Sequence, residues 1–244
     1  MTGCASGPRT AGLPDAFQEL RVFPIRTIVV DAGHGGHDPG TMHHGLREKD
    51  LALDIAHRLD ELLRARGFSV VMTRDRDEFV ELNNRPAIAN RLRADLFISV
   101  HLNANRRSHV SGLEVYYPRE SLVSVGDTFP IGVEPEEVAQ PSPTIRQILW
   151  DVALLQAREQ SQQIAMHICE QMAVRVEAPC RTVRPARFVV LRQAHMPAVL
   201  VEAGYVSNQT DAARLEDDAY RQALAEGIVE GLLSYLRTLE VEHL

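Results

Sequence analysis

Long apolar runs are missing from this chain. No stretch approaches the ~18–20 residues that a membrane helix needs, which argues against a helical membrane span. An excess of positive charge is missing too: 26 Lys and Arg stand against 33 Asp and Glu, a formal net charge of −7. That balance argues against a duplex nucleic-acid partner, whose phosphates require a basic stripe. Cysteine is rare. The three present, Cys4, Cys169 and Cys180, form neither a CxxC pair nor a zinc-finger spacing. Cys169 and Cys180 can pair or remain buried thiols, so cysteine use alone leaves the compartment open. No internal repeat marks a solenoid, and no apolar h-region precedes the first polar stretch, as a complete signal peptide requires.

What is present is the composition of a folded globular protein: 244 residues, 45% hydrophobic and 24% charged, which fits one domain with an insertion. Residues 1–24 read as an N-terminal tether and residues 25–240 as the folded domain. Thr27–Val30 is an apolar, β-branched run broken by glycines, the pattern of a buried strand. Glu48 to Arg66 predicts a helix, with Leu51, Ile55, Leu59, Leu62 and Leu63 on one face and Gly67 as its stop. Phe68–Thr73, Leu96–His101, Gly112–Tyr117, Phe188–Leu191 and Ala198–Glu202 read as further strands. Asn83 or Asn84 can cap a short helix through Leu92, and Thr144 a long one. A last helix is expected from about Asp217 to Leu236. The pattern fails over 118–143, which reads as an inserted segment with acidic Glu134, Glu136 and Glu137. The alternation predicts an α/β fold: a mostly parallel twisted sheet of about six strands, flanked by helices on both faces.

Ligands of open α/β sheets bind at the carboxyl ends of the strands. His34 follows the first strand, His101 closes another, and Glu202 closes the last. A polar group ending a core strand costs desolvation energy unless something pairs with it, and zinc accepts both imidazole nitrogen and carboxylate oxygen. Each residue also has an ordinary reading. The histidines can be packing residues, Glu202 can pair with an arginine, and Glu48 in a first helical turn favours the dipole by ~0.3–1 kcal/mol. His37, His43 and His44 lie close to the same region and compete as candidates.

Combination narrows the choice. Asp31-Ala-Gly-His-Gly-Gly-His-Asp-Pro-Gly40, Glu48-Lys-Asp50, Ser99-Val-His-Leu-Asn-Ala104 and Val201-Glu-Ala-Gly-Tyr-Val-Ser-Asn208 occur in that order. Thr73-Arg-Asp75, Leu82 to Arg85, Ala89-Asn90, Ala94–Phe97 and Phe188–Arg192 lie between them. Together they resemble the zinc-dependent N-acetylmuramoyl-L-alanine amidases of the AmiA/AmiB/AmiC type, across about residues 26–208.

The resemblance implies a peptidoglycan hydrolase that cuts the amide between N-acetylmuramic acid and L-alanine. It implies one zinc per chain held by His34, Glu48 and His101, with Glu202 as the catalytic carboxylate. Asp31 is a candidate to hold a ligand histidine's second nitrogen, or to cap a turn. Asn103 and Asn208 can bind substrate amides or fix loops. Arg85, Arg187 and Arg192 can meet peptide carboxylates or pair structurally. Gly33, Gly35 and Gly36 are expected to let the backbone turn near the metal.

Two expectations concern regulation and place. Some relatives carry an inserted helix that covers the zinc until an activator protein displaces it, and 118–143 is where such a segment would fall; a plain solvated loop is the alternative. The opening Met-Thr-Gly-Cys-Ala-Ser-Gly resembles the tail of a lipoprotein signal, with Cys4 as the acylated residue. A monomer in the bacterial cell envelope, periplasmic or extracytoplasmic, is expected. Two other functions compete: a non-catalytic peptidoglycan-binding relative, and a zinc peptidase acting within the stem peptide.

Overall fold

The computed structural model describes residues 25–119 and 142–241. Its elements run β1 (Thr27–Ala32), β2 (Met42–His43), β3 (Leu46–Arg47), α1 (Glu48–Ala65), β4 (Ser69–Met72), α2 (Asn84–Leu92), β5 (Leu96–Asn103), β6 (Leu113–Pro118), α3 (Pro143–Val176), β7 (Cys180–Ala186), α4 (Val189–Arg192), β8 (Ala198–Tyr205), α5 (Gln209–Leu215) and α6 (Asp218–Val241). Six strands form one sheet in the order β4-β1-β5-β8-β6-β7. Its neighbours are parallel except β6 and β8. The expected α/β architecture is therefore present.

Burial follows the apolar runs. β1, β5 and β8 occupy the middle of the sheet, and the first six residues of each are almost wholly out of water. On one face Leu51, Ile55, Leu59 and Leu63 of α1 join Ile164 and Ile168 of α3 and Leu224, Ile228 and Leu232 of α6 in the larger core. On the other face Ala89 of α2 and Val190 and Leu191 of α4 meet Val29, Phe97 and Leu200. Each buried branched or aromatic side chain contributes roughly 1.5–3 kcal/mol.

Several element assignments change. Phe188–Leu191 is not a strand: Phe188 precedes the four-residue helix α4. Its β-branched pair mimics a strand, but the ladder place beside β6 is taken by β7. That strand contains Arg181, Arg184 and Pro185, residues that hide a strand in sequence and that an edge position tolerates. Cys180 opens this strand. It is disulfide-bonded to Cys169 of α3, with Cα atoms 5.6 Å apart. The cap of α3 is Ser142, whose hydroxyl accepts from Ile145 N, with Pro143 in the first turn. The last helix is preceded by a separate α5, capped by Asn208. Cys4 and most of the inserted segment lie outside the described residues. No described helix is long and apolar enough to cross a membrane.

Candidate active site

The site is built on the carboxyl ends of β1, β5 and β8. Past β1 the ladder continues through Gly33 N, which donates to Val100 O at 3.0 Å. The His101 ring lies so close that a Cβ on Gly33 would stand 2.4 Å from its Cε1. Gly33 thus serves by close approach, whereas Gly35 and Gly36 have positive φ as expected. Gly40 combines both demands: its φ is +65°, and a Cβ there would meet Glu48 Oε2 and His34 Cδ2 at 2.6 Å. His34 itself adopts φ 58°, a left-handed conformation uncommon for a non-glycine residue, so the surrounding structure holds it there.

Three side chains converge. Glu48 Oε1 lies 2.8 Å from His101 Nδ1 and 3.1 Å from His34 Nε2. Donor atoms of all three residues lie within 4.8 Å of one another, so the cluster can hold a metal ion. Glu48 is buried at the start of α1; its Oε2 accepts from Thr41 N at 2.9 Å and its Oε1 from Leu102 N at 3.2 Å. Burial opposes its charge, but the two imidazoles outweigh that and hold it far below the usual carboxylate range. Burial likewise opposes the charged form of His34, yet Glu48 and Asp38 overcome it and raise its pKa. Asp38 Oδ2 sits 2.7 Å from His34 Nδ1, which leaves Nε2 facing the cluster. Asp38, not Asp31, therefore holds the second nitrogen of His34. The spacing of four residues across a glycine turn was the missed signal.

Glu202 stands beside the cluster, in register with His101 on one side and Glu114 on the other. Its Oε2 is buried without a hydrogen-bond partner among the described residues. Burial first, then the charges of Glu48 and Glu114, push its pKa up to about 7 against the pull of His101 and His34. An unpartnered buried carboxylate oxygen beside three metal-type donors marks Glu202 as a candidate functional group.

Asp31 instead anchors the loop that carries His34. It accepts from Thr73 Oγ1 (2.7 Å), Ser99 Oγ (2.7 Å) and Arg85 Nη1 (2.9 Å). Arg85 is 3% exposed and also donates to Ala32 O and His34 O, each at 2.7 Å, so it is structural rather than a substrate arginine. Arg74, 2% exposed, donates to Ala32 O, Gly33 O and Lys49 O. Lys49 Nζ donates to Gly36 O and Asp77. Arg74 was legible only as part of a motif.

The remaining candidates separate by place. Asn103 Nδ2 donates to Glu114 Oε2 at 3.1 Å, one strand from Glu202. Arg187 and Arg192 are exposed around α4. Asn208 fixes a loop, capping α5 and donating to Ser108 O at 2.7 Å. His37 packs on Phe79, and His43 and His44 sit on an exposed hairpin. His57 and His167 have local partners, Asp75 O and Ser234 Oγ.

A family model described as N-acetylmuramoyl-L-alanine amidase matches residues 28–234. The N-acetylmuramoyl-L-alanine amidase LytC of Bacillus subtilis is 34% identical over 211 residues, 86% of this chain and 36% of LytC. The N-acetylmuramoyl-L-alanine amidase AmiA of Escherichia coli is 30% identical over 223 residues, 86% of this chain and 76% of AmiA. The chain thus spans about a third of the first relative and three quarters of the second. Among solved structures, the CwlD amidase of Clostridioides difficile, determined in complex with the GerS lipoprotein, matches with TM-score 0.68 at 27% identity over 87% of this chain and 99% of that one.

Proposed function

Since the chain belongs to the N-acetylmuramoyl-L-alanine amidase family, we propose that it hydrolyses the amide joining the lactyl group of N-acetylmuramic acid to L-alanine in peptidoglycan, with one zinc ion held by His34, Glu48 and His101. The observation that carries this reading is the convergence of two imidazoles and a carboxylate next to the unpartnered Glu202 Oε2. Two His and one Glu form a donor set that zinc accepts in catalytic sites. When bound, zinc supplies a Lewis acid that polarises the scissile carbonyl and acidifies water.

The protein's own groups do the rest. Asp38 fixes the tautomer and orientation of His34, and the amides of Thr41 and Leu102 orient Glu48. Glu202 Oε2 takes the proton of the attacking water and returns it to the departing alanine nitrogen. Glu114 keeps Asn103 in place along the same edge. The products are a lactyl carboxylate and a peptide with a free L-alanine amine. Residues 25–240 form the catalytic unit in this reading.

Place and partners follow from the same reading. Peptidoglycan lies outside the cytoplasm, and the Cys169–Cys180 disulfide suits an oxidising compartment. An activator protein acting on a monomer, through the segment at 118–143, is proposed by analogy with the CwlD–GerS complex. Acylation of Cys4 would add an anchor.

The test is digestion of purified peptidoglycan by zinc-loaded protein, with mass spectrometry of the products. Release of intact stem peptides with free L-alanine amines is expected. Fragments cut within the peptide would assign a peptidase instead, and binding without peptide release a non-catalytic relative.

A further inference from the structure

Beside the site lies a second concavity that the mechanism leaves unused. It is a cleft of about 490 Å³ lined by His43, His44, Asn105, Arg106, Ser108 and Ser207, with Ala104. Its lining residues follow or precede the site residues closely along the chain. His44 precedes Glu48 by four residues, Asn105 follows His101 by four, and Ser207 follows Glu202 by five. A chain of four or five residues reaches at most about 13–18 Å, so the cleft is within reach of a short peptide bound at the metal cluster.

The lining has one chemical character. It offers two imidazoles, a guanidinium, an amide and two hydroxyls, and no carboxylate, in a chain whose formal net charge is −7. The walls are already held in place. Asn105 N donates to Ser207 Oγ, Arg107 N to Asn105 Oδ1, and Asn208 Nδ2 to Ser108 O, so the loop needs no ligand to form. The opposite wall is a two-residue hairpin: β2 and β3 are joined by His44 and Gly45, both at positive φ. Arg106 is exposed and makes no ion pair with another described residue. It is a donor without an assigned acceptor at the edge of a site for an acidic peptide.

We propose that this cleft is the subsite for a stem-peptide carboxylate, with Arg106 as the charged donor and His43 and His44 as the facing wall. The inference rests on the amidase reading and deepens it by naming a specificity determinant. The first free carboxylate beyond the scissile bond belongs to the second residue of the stem, an isoglutamate in its unamidated form. Amidation of that group replaces an anion by a neutral amide, which removes the charge that the Arg106 guanidinium would meet. Arg106 therefore selects the unamidated peptide, and it binds that carboxylate as a charge-assisted hydrogen-bond donor.

The experiment compares kcat/KM for two soluble muropeptides that differ only in that carboxylate, free or amidated. Zinc-loaded wild-type protein should prefer the free acid by about tenfold, through KM, as a charge-assisted hydrogen bond predicts. Arg106→Ala should bring the two substrates to equal kcat/KM, and Arg106→Lys should restore part of the difference. Zinc content and far-UV circular dichroism of each variant report whether the fold and metal site are intact. A wild type that cuts both substrates equally, or a preference that survives in Arg106→Ala, overturns the subsite while leaving the amidase reading in place. If zinc-loaded protein cuts neither substrate, both intact and with residues 120–141 deleted, the amidase reading itself fails, and the subsite with it.

Discussion

At the scale of single residues, Glu202 is held in an environment that favours its protonated form. Its folded pKa, about 7, lies above the ordinary 4.5. The stability linked to its proton is thus present below about 4.5 and is lost as pH rises through about 7 in the metal-free protein. Glu202→Gln should therefore raise the melting temperature of metal-free protein at pH 8, with the gain vanishing by about pH 4, as calorimetry can show. The same variant should keep its zinc and lose hydrolysis by about 10²–10⁴-fold. Unchanged turnover would remove Glu202 from the reaction. His34 behaves in the opposite sense toward metal. Its raised pKa means that a proton competes with the ion, so zinc affinity should fall by roughly tenfold per pH unit below the imidazole's folded pKa. Competition titrations against a chelator of known affinity measure this slope. His34→Ala should lose both zinc and activity.

At the scale of elements, the loop after β1 depends on groups distant in sequence. Arg85 reaches it from α2, and Arg74 from the segment after β4. Buried guanidiniums bonded to carbonyls and to Asp31 are costly to interrupt, because their removal leaves polar groups buried and unpaired. Arg85→Met should cost about 3–5 kcal/mol in urea unfolding of the metal-free protein. It should also weaken zinc binding, since the carbonyl of His34 loses its donor. A variant with full stability but lost zinc would separate positioning from folding. The link between α3 and β7 is a second such dependence. Replacing Cys169 and Cys180 together by Ser should lower stability by about 2–4 kcal/mol, with reductant giving the wild type the same loss.

At the scale of the whole molecule, metal binding and folding are coupled because His34, Glu48 and His101 come from three separate segments. Free zinc at about 100 times its dissociation constant should add ~2.7 kcal/mol to stability. For a domain of this size that is a rise in melting temperature of about 5–10 °C. Adding a chelator during thermal scans should reverse it. A melting temperature indifferent to zinc would argue against a metal centre assembled by the fold.

Much of this was legible in the chain itself. Apolar runs marked β1, β5 and β8, because a buried parallel strand cannot be written otherwise. Those same runs located His34 just past β1, while His101 and Glu202, read as strand ends, lie two and three residues inside the longer strands β5 and β8. Periodicity marked α1 and put Glu48 at its first turn. The edge strand β7 was not legible, since an edge half in water tolerates Arg and Pro, and α4 resembled a strand because four residues carry too little periodicity to decide. Pairings were beyond the sequence altogether. That Asp38 rather than Asp31 meets His34, that Arg85 is buried, and that Cys169 faces Cys180 all depend on which groups the closed sheet brings within 3 Å or so. Burial is written in residue type along the chain, whereas a hydrogen bond between distant residues exists only once packing has fixed both ends.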